Sequence, residues 1–154
     1  MSTNLNKIRE ALANQTAKNH EIFNYAIPDT WLSFDYKGSK IKVNDGNVLV
    51  NPYHFYQSLI EDVFLKQTSN ELRSYYLDHP VDKGFDNGNW IRKSSAYSMM
   101  VRTSGSYDHD RTGKLEDQNL YHLKDTGTFL KTLAYLPLLK RMGIDVLYLL
   151  PIAK

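Results

Sequence analysis

The stretch KRMGIDVLYLLPI, residues 140–152, decides the fold class of this chain. Lys140 and Arg141 suit the negative carboxyl end of a helix, and Gly143 is the residue type that ends helices in the left-handed conformation. The run Val146–Leu150 is almost wholly apolar, which is typical of a parallel strand buried on both faces. The stretch therefore predicts a helix that leads directly into a buried strand.

The residues before this stretch complete a β-α-β unit. Segment 95–102 predicts a first buried strand, a long polar loop covers 103–125, and apolar spacing predicts a helix over 127–143. Pro137 either kinks that helix or opens a second helical turn. We expect its apolar face to consist of Phe129, Leu133, Leu136, Leu139 and Met142.

The first half of the chain predicts an α+β arrangement. Apolar residues at helical spacing indicate a helix over Leu5–Ile27, or two shorter helices around a polar middle. Segment 31–36 and the alternation around Ile41 predict strands, and Asp45-Gly46 predicts a type I′ hairpin that leads into strand 48–50. These segments together would form a meander of three short strands.

Further helices and a linker follow the predicted meander. Apolar residues from Phe55 to Phe64 predict an amphipathic helix, and a shorter helix is expected over Ser69–Leu77. Residues 81–93 are rich in Gly, Asn and Asp, which is typical of a long loop. We therefore predict an N-terminal extension over 1–93 and a second domain over 94–154.

Composition excludes several classes of protein. The 19 Lys and Arg residues against 17 Asp and Glu leave a formal charge of +2, too balanced for nucleic acid or an anionic membrane surface. Cysteine is absent, which excludes disulfides and thiolate metal sites. No signal-peptide core and no membrane-spanning apolar run occurs, so we expect a cytoplasmic protein.

The predicted terminal strand needs neighbours on both sides and cover on both faces. Only residues 151–154 follow it, and the first ninety or so residues offer no obvious parallel partners. One interpretation is a small α+β domain in which the N-terminal helices cover the strand. The other, which we favour, is the front of a larger α/β protein that continues beyond its second parallel strand.

Residues 95–154, about two fifths of the chain, resemble a known family. Segment 100–113, segment 127–130 and segment 140–152 are similar to the first barrel strand, first helix and second strand of α-amylase-family glycoside hydrolases. This resemblance implies the first β-α-β of a (β/α)8 TIM barrel, incomplete in this chain, since such barrels typically need about 250 residues. The first ninety residues resemble nothing recognisable.

The resemblance also implies a chemistry. The family cleaves or transfers α-linked glucose units with retention, through two carboxyl groups about 5 Å apart that lie after later strands. No residue of this chain is assigned a catalytic role, so we expect a parent enzyme acting on an α-glucan or oligosaccharide and a chain that is inactive alone. The alternatives are a non-catalytic carbohydrate-binding or interaction module, or an α/β enzyme of another class.

The loop DHDRTGKLEDQN, residues 108–119, predicts a calcium site. Oxygen-bearing side chains alternate around a glycine at the sixth place, as hard cations require, and the candidate ligands are Asp108, Asp110, Thr112 and Glu116. The match is partial because the twelfth place holds Asn119 instead of glutamate. The alternative is a solvated polar loop with Asx turns. His109 could serve as a proton donor or a ligand, but a lone histidine in a loop is more often simply exposed.

A second polar segment, Gly84–Trp90, suggests a sugar site. Phe85 and Trp90 could stack on a sugar ring while neighbouring Asp and Asn side chains bind its hydroxyls. The alternative is a linker that these two aromatic side chains anchor to the second domain.

Overall fold

The computed structural model describes residues 3–43, 45–64 and 89–150. Its first half contains α1 (Thr3–Lys18), β1 (Tyr25–Pro28), a 3₁₀ helix (Asp29–Leu32), β2 (Lys40–Lys42), β3 (Asn47–Val50) and α2 (Pro52–Phe64). Its second half contains α3 (Asn89–Arg92), β4 (Ala96–Met99), α4 (Val101–Ser104), α5 (Phe129–Arg141) and β5 (Val146–Leu149). The predicted α/β class is confirmed, and no closed barrel occurs among these described residues.

The first sheet is antiparallel, with the strand order β1-β3-β2. The predicted hairpin is confirmed, because Ile41 pairs with Leu49 and the Val43 N–H donates to the Asn47 carbonyl at 3.0 Å. The type I′ assignment is wrong, because a two-residue turn at Asp45-Gly46 would pair Lys42 with Leu49, whereas Lys42 pairs with Val48. Gly46 has a φ of 77°. A loop with one left-handed glycine before the returning strand is the ordinary longer alternative.

One predicted element of the first half is too long and another is wrong. The first helix ends at Lys18, and residues Tyr25–Pro28 form β1, whose first three side chains are fully buried. Segment 31–36 is not a strand, because a 3₁₀ helix occupies Asp29–Leu32 and buries Trp31 against Phe55, with ring centroids 6.4 Å apart. In both places tertiary burial overrides local propensity.

One hydrophobic core joins the two halves of the chain. The predicted helix around Phe55 is confirmed as α2, and its apolar face is buried from Phe55 to Val63, whereas Phe64 at its end is exposed. The core cluster combines residues from β1, β3 and α2 with residues that follow position 93: Tyr25, Ile27, Trp31, Tyr36, Val48, Val50, Phe55, Tyr56, Leu59, Val63, Tyr121 and Ala134. The predicted extension 1–93 and the segment 94–154 therefore share apolar packing.

The second sheet confirms the β-α-β prediction. β4 and β5 pair in parallel, with Ala96 opposite Val146 and Met99 opposite Leu149, and α5 lies between them in the chain. The predicted strand 95–102 ends earlier, because residues Val101–Ser104 turn into α4. The predicted burial of both strands is wrong for the described residues, because Met99 is the only buried side chain of β4 and no side chain of β5 is buried.

Helix α5 begins and ends as the residue types require. The Thr128 hydroxyl accepts the Lys131 N–H at 3.2 Å, and Gly143, with a φ of 78°, donates its N–H to the Lys140 carbonyl at 2.9 Å. The helix runs through Pro137 without interruption. The predicted apolar face is wrong at both ends, because Phe129 and Met142 are more than half exposed. Lys131, Thr132 and Ala134 are buried in their place, on the side that meets the core and the loop before the helix.

Some predictions lie outside the described residues. These are the helix over Ser69–Leu77, most of the loop over 81–93, and the suggested sugar site with its Phe85 and Trp90 side chains. In the part of the chain that the structure describes, no helix combines the length and the apolar character needed to cross a membrane.

Candidate metal centre

The long loop between α4 and α5 closes on itself beside the carboxyl end of β4. The Tyr107 N–H donates to the Asp125 carbonyl at 2.9 Å, and the Gly127 N–H donates to the Arg102 carbonyl at 2.8 Å. A β-carbon at Gly127 would overlap the carbonyl oxygen of Val101, so this close approach of two backbones needs glycine. The two ends of the loop are thereby held together.

Three aspartates converge inside this closed loop, and we call them the acidic cluster: Asp108, Asp110 and Asp125. Each offers a carboxylate oxygen, and the three oxygens lie within 4.8 Å of one another. The sequence pattern pointed to the first two as metal ligands. It missed Asp125, which comes from the far end of the loop.

The Asp108 carboxylate accepts two backbone hydrogen bonds from the loop that follows it. The Thr112 N–H donates to Oδ1 at 3.1 Å, and the Gly113 N–H donates to Oδ2 at 2.6 Å. Gly113 has a φ of 81°, which lets the chain turn back toward the carboxylate. Thr112, expected as a ligand, thus contributes its backbone amide to Asp108.

The Asp110 carboxylate keeps one oxygen free of hydrogen bonds. Oδ2 accepts the Leu120 N–H at 3.1 Å, whereas Oδ1 is buried and has no partner among the described residues. Desolvation raises the pKa of Asp110, but hydrogen bonding, first from the Leu120 amide, outweighs it and leaves the pKa below its usual value. The group is therefore ionised at neutral pH and has an oxygen available for a cation.

Asp125 is completely buried and is held from three sides. Its carboxylate accepts the Glu116 N–H at 3.1 Å, the Asn119 side-chain amide at 2.8 Å and the His109 N–H at 3.4 Å. The Asn119 side chain is oriented in turn by the N–H groups of two residues near it, which donate to its Oδ1. Glu116, expected as a ligand, contributes its backbone amide, and its carboxylate is not part of the acidic cluster.

A buried lysine from α5 supplies positive charge next to the cluster. Lys131 is 2% exposed, and its Nζ donates to the Asp125 carbonyl oxygen at 2.8 Å. Burial lowers the pKa of Lys131 to about 8, against the opposing attraction of the Asp125 carboxylate. At neutral pH the lysine is charged, so it offsets part of the negative charge of the three aspartates.

The prediction that His109 is exposed is wrong. The residue is completely buried, and its ring stacks on Tyr25 with centroids 4.1 Å apart. Nδ1 donates to the Ala26 carbonyl at 2.7 Å, because a carbonyl can only accept. Burial, reinforced by the Lys131 charge, lowers the pKa of His109 to about 3. The neutral ring therefore connects the loop to β1 and does not act as a proton donor at neutral pH.

The acidic cluster fits a calcium ion. Ca²⁺ takes about six to eight oxygen ligands at about 2.3–2.6 Å, so two ligands of one ion lie at most about 5 Å apart. The carboxylate oxygens of the cluster meet that limit, and the buried Asp110 Oδ1 has no other partner. Two of the four expected ligands, Asp108 and Asp110, belong to the cluster, whereas the carboxylate of Glu116 does not.

No family model matches the chain, and no curated protein matches it significantly.

Proposed function

We propose that this chain is the N-terminal part of an α-amylase-like retaining glycoside hydrolase, which acts on α-glucosidic bonds, and that its acidic cluster holds Ca²⁺. The observation that carries the proposal is the parallel β4-α5-β5 unit with its long polar loop at the carboxyl end of β4. In (β/α)8 barrels the loops at the carboxyl ends of the strands carry function.

The exposure of the second sheet supports a larger barrel. Tyr97 in β4 is 38% exposed and Tyr148 in β5 is 57% exposed, although parallel sheets are normally covered on both faces. Within the described ranges β4 and β5 pair only with each other. Further strands and helices of a barrel would cover these side chains, and we propose that the parent protein supplies them.

The acidic cluster suits a structural role and not glycoside cleavage. A glycosidase needs one carboxylate that reaches the sugar and one carboxylic acid whose pKa is raised, so that it can donate a proton. Asp125 is fully buried under three hydrogen bonds, and Asp108 is occupied by two backbone amides. We therefore propose that the catalytic carboxylates follow in later strands, that the chain alone is inactive, and that the enzyme works in the cytoplasm on an α-glucan or oligosaccharide.

The test of function uses the product of the complete reading frame. Maltooligosaccharides should yield products with the α-configuration in the first minutes of reaction, observed by NMR, whereas the 154-residue chain should yield none. Activity of the short chain alone would contradict the proposal. A reading frame that closes after Lys154 would also contradict it and would favour a carbohydrate-binding or interaction module.

The test of calcium binding is a calorimetric titration with Ca²⁺. We expect saturable heat and a rise in melting temperature, both lost in Asp110→Asn because the unpartnered carboxylate oxygen becomes part of a neutral amide. Asp117→Asn is the matched control, since Asp117 lies exposed in the same loop and outside the cluster. The calcium site would be contradicted if the unaltered protein gave no heat of binding. It would also be contradicted if Asp110→Asn and Asp117→Asn lost calcium binding equally.

A further inference from the structure

A cavity of 270 Å³ lies in the first half of the chain, apart from the acidic cluster. It opens between the end of α1, the loop at residues 36–39 and the start of α2. Its volume is slightly below the roughly 300 Å³ at which pockets for drug-sized ligands begin. The space therefore suits a compact ligand of about one sugar ring.

A tyrosine–histidine pair forms part of the cavity wall. The Tyr36 hydroxyl lies 3.1 Å from His54 Nδ1, and one of these two groups donates to the other. His54 Nε2 is a donor when Nδ1 accepts and an acceptor when Nδ1 donates. The wall thus combines a fixed aromatic ring with an imidazole that can take part in a hydrogen bond.

The backbone at Gly38 closes over this pair. A β-carbon at this position would overlap both the Tyr36 hydroxyl and His54 Nδ1, so any larger residue would displace the pair. The loop is therefore shaped around the tyrosine and the histidine, and only glycine permits this shape.

The remaining wall is aromatic and balanced in charge. Phe23 presents a ring that is 38% exposed, which stacking on an apolar sugar face requires. Lys37 pairs with Asp35 at 2.8 Å, and His20 lies 3.7 Å from Glu21, so these two basic groups of the wall each have an acidic neighbour. This balance favours a neutral ligand over a phosphate.

We infer that this cavity binds one hexose unit of a neutral saccharide, which stacks on Phe23 and forms a hydrogen bond with His54. The inference extends the proposed function, and it rests on that function only for the choice of α-linked glucose. The site would hold a glucan chain on the N-terminal extension, away from any catalytic carboxylates.

The experiment is an NMR titration of the 154-residue chain with maltotriose, cellotriose and inorganic phosphate in parallel. We expect saturable shifts with a trisaccharide and a three- to tenfold weaker affinity in Phe23→Ala, from a loss of about one aromatic stacking contact. Phe64→Ala is the matched control, because Phe64 is 37% exposed and lies outside the cavity. Gly38→Ala should weaken affinity as well.

Binding of either trisaccharide that Phe23→Ala weakens and Phe64→Ala leaves unchanged supports the site. No saturable sugar binding, equal effects of the two phenylalanine variants, or binding of phosphate alone would overturn it. Preference for cellotriose over maltotriose would leave the sugar site in place and count against the proposed α-glucosidic function, so the two failures are distinguishable.

Discussion

At the scale of single residues, Asp125 organises the long loop. Its carboxylate accepts hydrogen bonds from donors in the loop, and its carbonyl oxygen accepts hydrogen bonds from the Lys131 ammonium and the Tyr107 N–H. Every one of these groups is polar and most are buried, so each depends on the others for its hydrogen bonds. The loop is therefore ordered by a polar network and not by apolar packing.

Removing the Asp125 carboxylate should destabilise the protein strongly. Asp125→Ala would leave the Asn119 amide without its acceptor and the buried Lys131 charge without its neighbouring carboxylate. We expect a loss of about 3 kcal/mol in the free energy of unfolding, measured with urea. Asp117→Ala, at an exposed position of the same loop, should cost no more than about 0.5 kcal/mol. Similar losses in the two variants would contradict the network.

Tyr36 should make stability depend on alkaline pH. Its pKa is raised from 10.0 to about 12 by burial, so the folded protein holds the proton more tightly than the unfolded chain. The resulting stability is complete below pH 10 and is lost as the pH rises toward 12, by about 1.4 kcal/mol per pH unit.

Urea unfolding between about pH 9 and pH 11 measures this effect. Tyr36→Phe should show a shallower decline in stability than the unaltered protein. Tyr148→Phe, at an exposed position, should decline as steeply as the unaltered protein. Parallel declines in Tyr36→Phe and the unaltered protein would contradict the expectation.

Local spacing predicts only part of this residue-scale arrangement. Asp108 and Asp110 are recognisable as candidate ligands because they stand two positions apart in a polar loop that also contains Gly113. Local spacing does not predict the part that Asp125 takes in the cluster or the burial of His109, because the groups that they contact come from distant segments. Ala26 lies 83 positions from His109, and no pattern within a short window contains both.

At the scale of elements, α5 and β5 were the most predictable parts of the chain. A capping threonine, a terminal glycine and an apolar run are local signals, and each acts as its residue type requires. Segments 22–27 and 31–36 were mispredicted because short apolar runs fit a helix or a strand equally well. Their conformation follows from what they pack against.

The end of α5 provides a test of one local signal. Gly143 has a φ of 78°, and a β-carbon there would meet nothing within 4 Å, so a substitution costs backbone strain alone. Gly143→Ala should lower the free energy of unfolding by about 1 kcal/mol. Gly143→Asn should lose about half as much or less, since asparagine tolerates this conformation. Equal losses of stability in the two variants would contradict this expectation, because they would show that the positive φ does not determine the cost.

At the scale of the whole molecule, the core crosses the boundary that composition suggests near residue 93. Tyr121 and Ala134 pack into the same cluster as Leu59 and Phe55. Composition located a Gly- and Asn-rich segment, but it carries no information on which apolar faces meet. We expect the two halves to depend on each other for stability.

Leu59→Ala tests that dependence. Leu59 is fully buried in α2, so its truncation should cost about 3 kcal/mol. Amide hydrogen exchange should accelerate in α5 as well as in α2, because both helices contribute to one core. Leu115→Ala, at a residue that is 56% exposed, should leave the free energy of unfolding and the exchange rates of both helices unchanged. Acceleration confined to α2 would indicate two independent cores.

The link between His109 and Ala26 has a consequence for solubility. Ala26 donates its N–H to the His109 carbonyl at 2.9 Å and accepts the His109 ring proton on its own carbonyl, on the side of β1 that faces away from β3. An outer strand with free backbone groups recruits strands from other molecules. Here a loop from the same polypeptide already occupies those groups at the centre of β1, so it protects this edge of the sheet from pairing with a strand of another molecule.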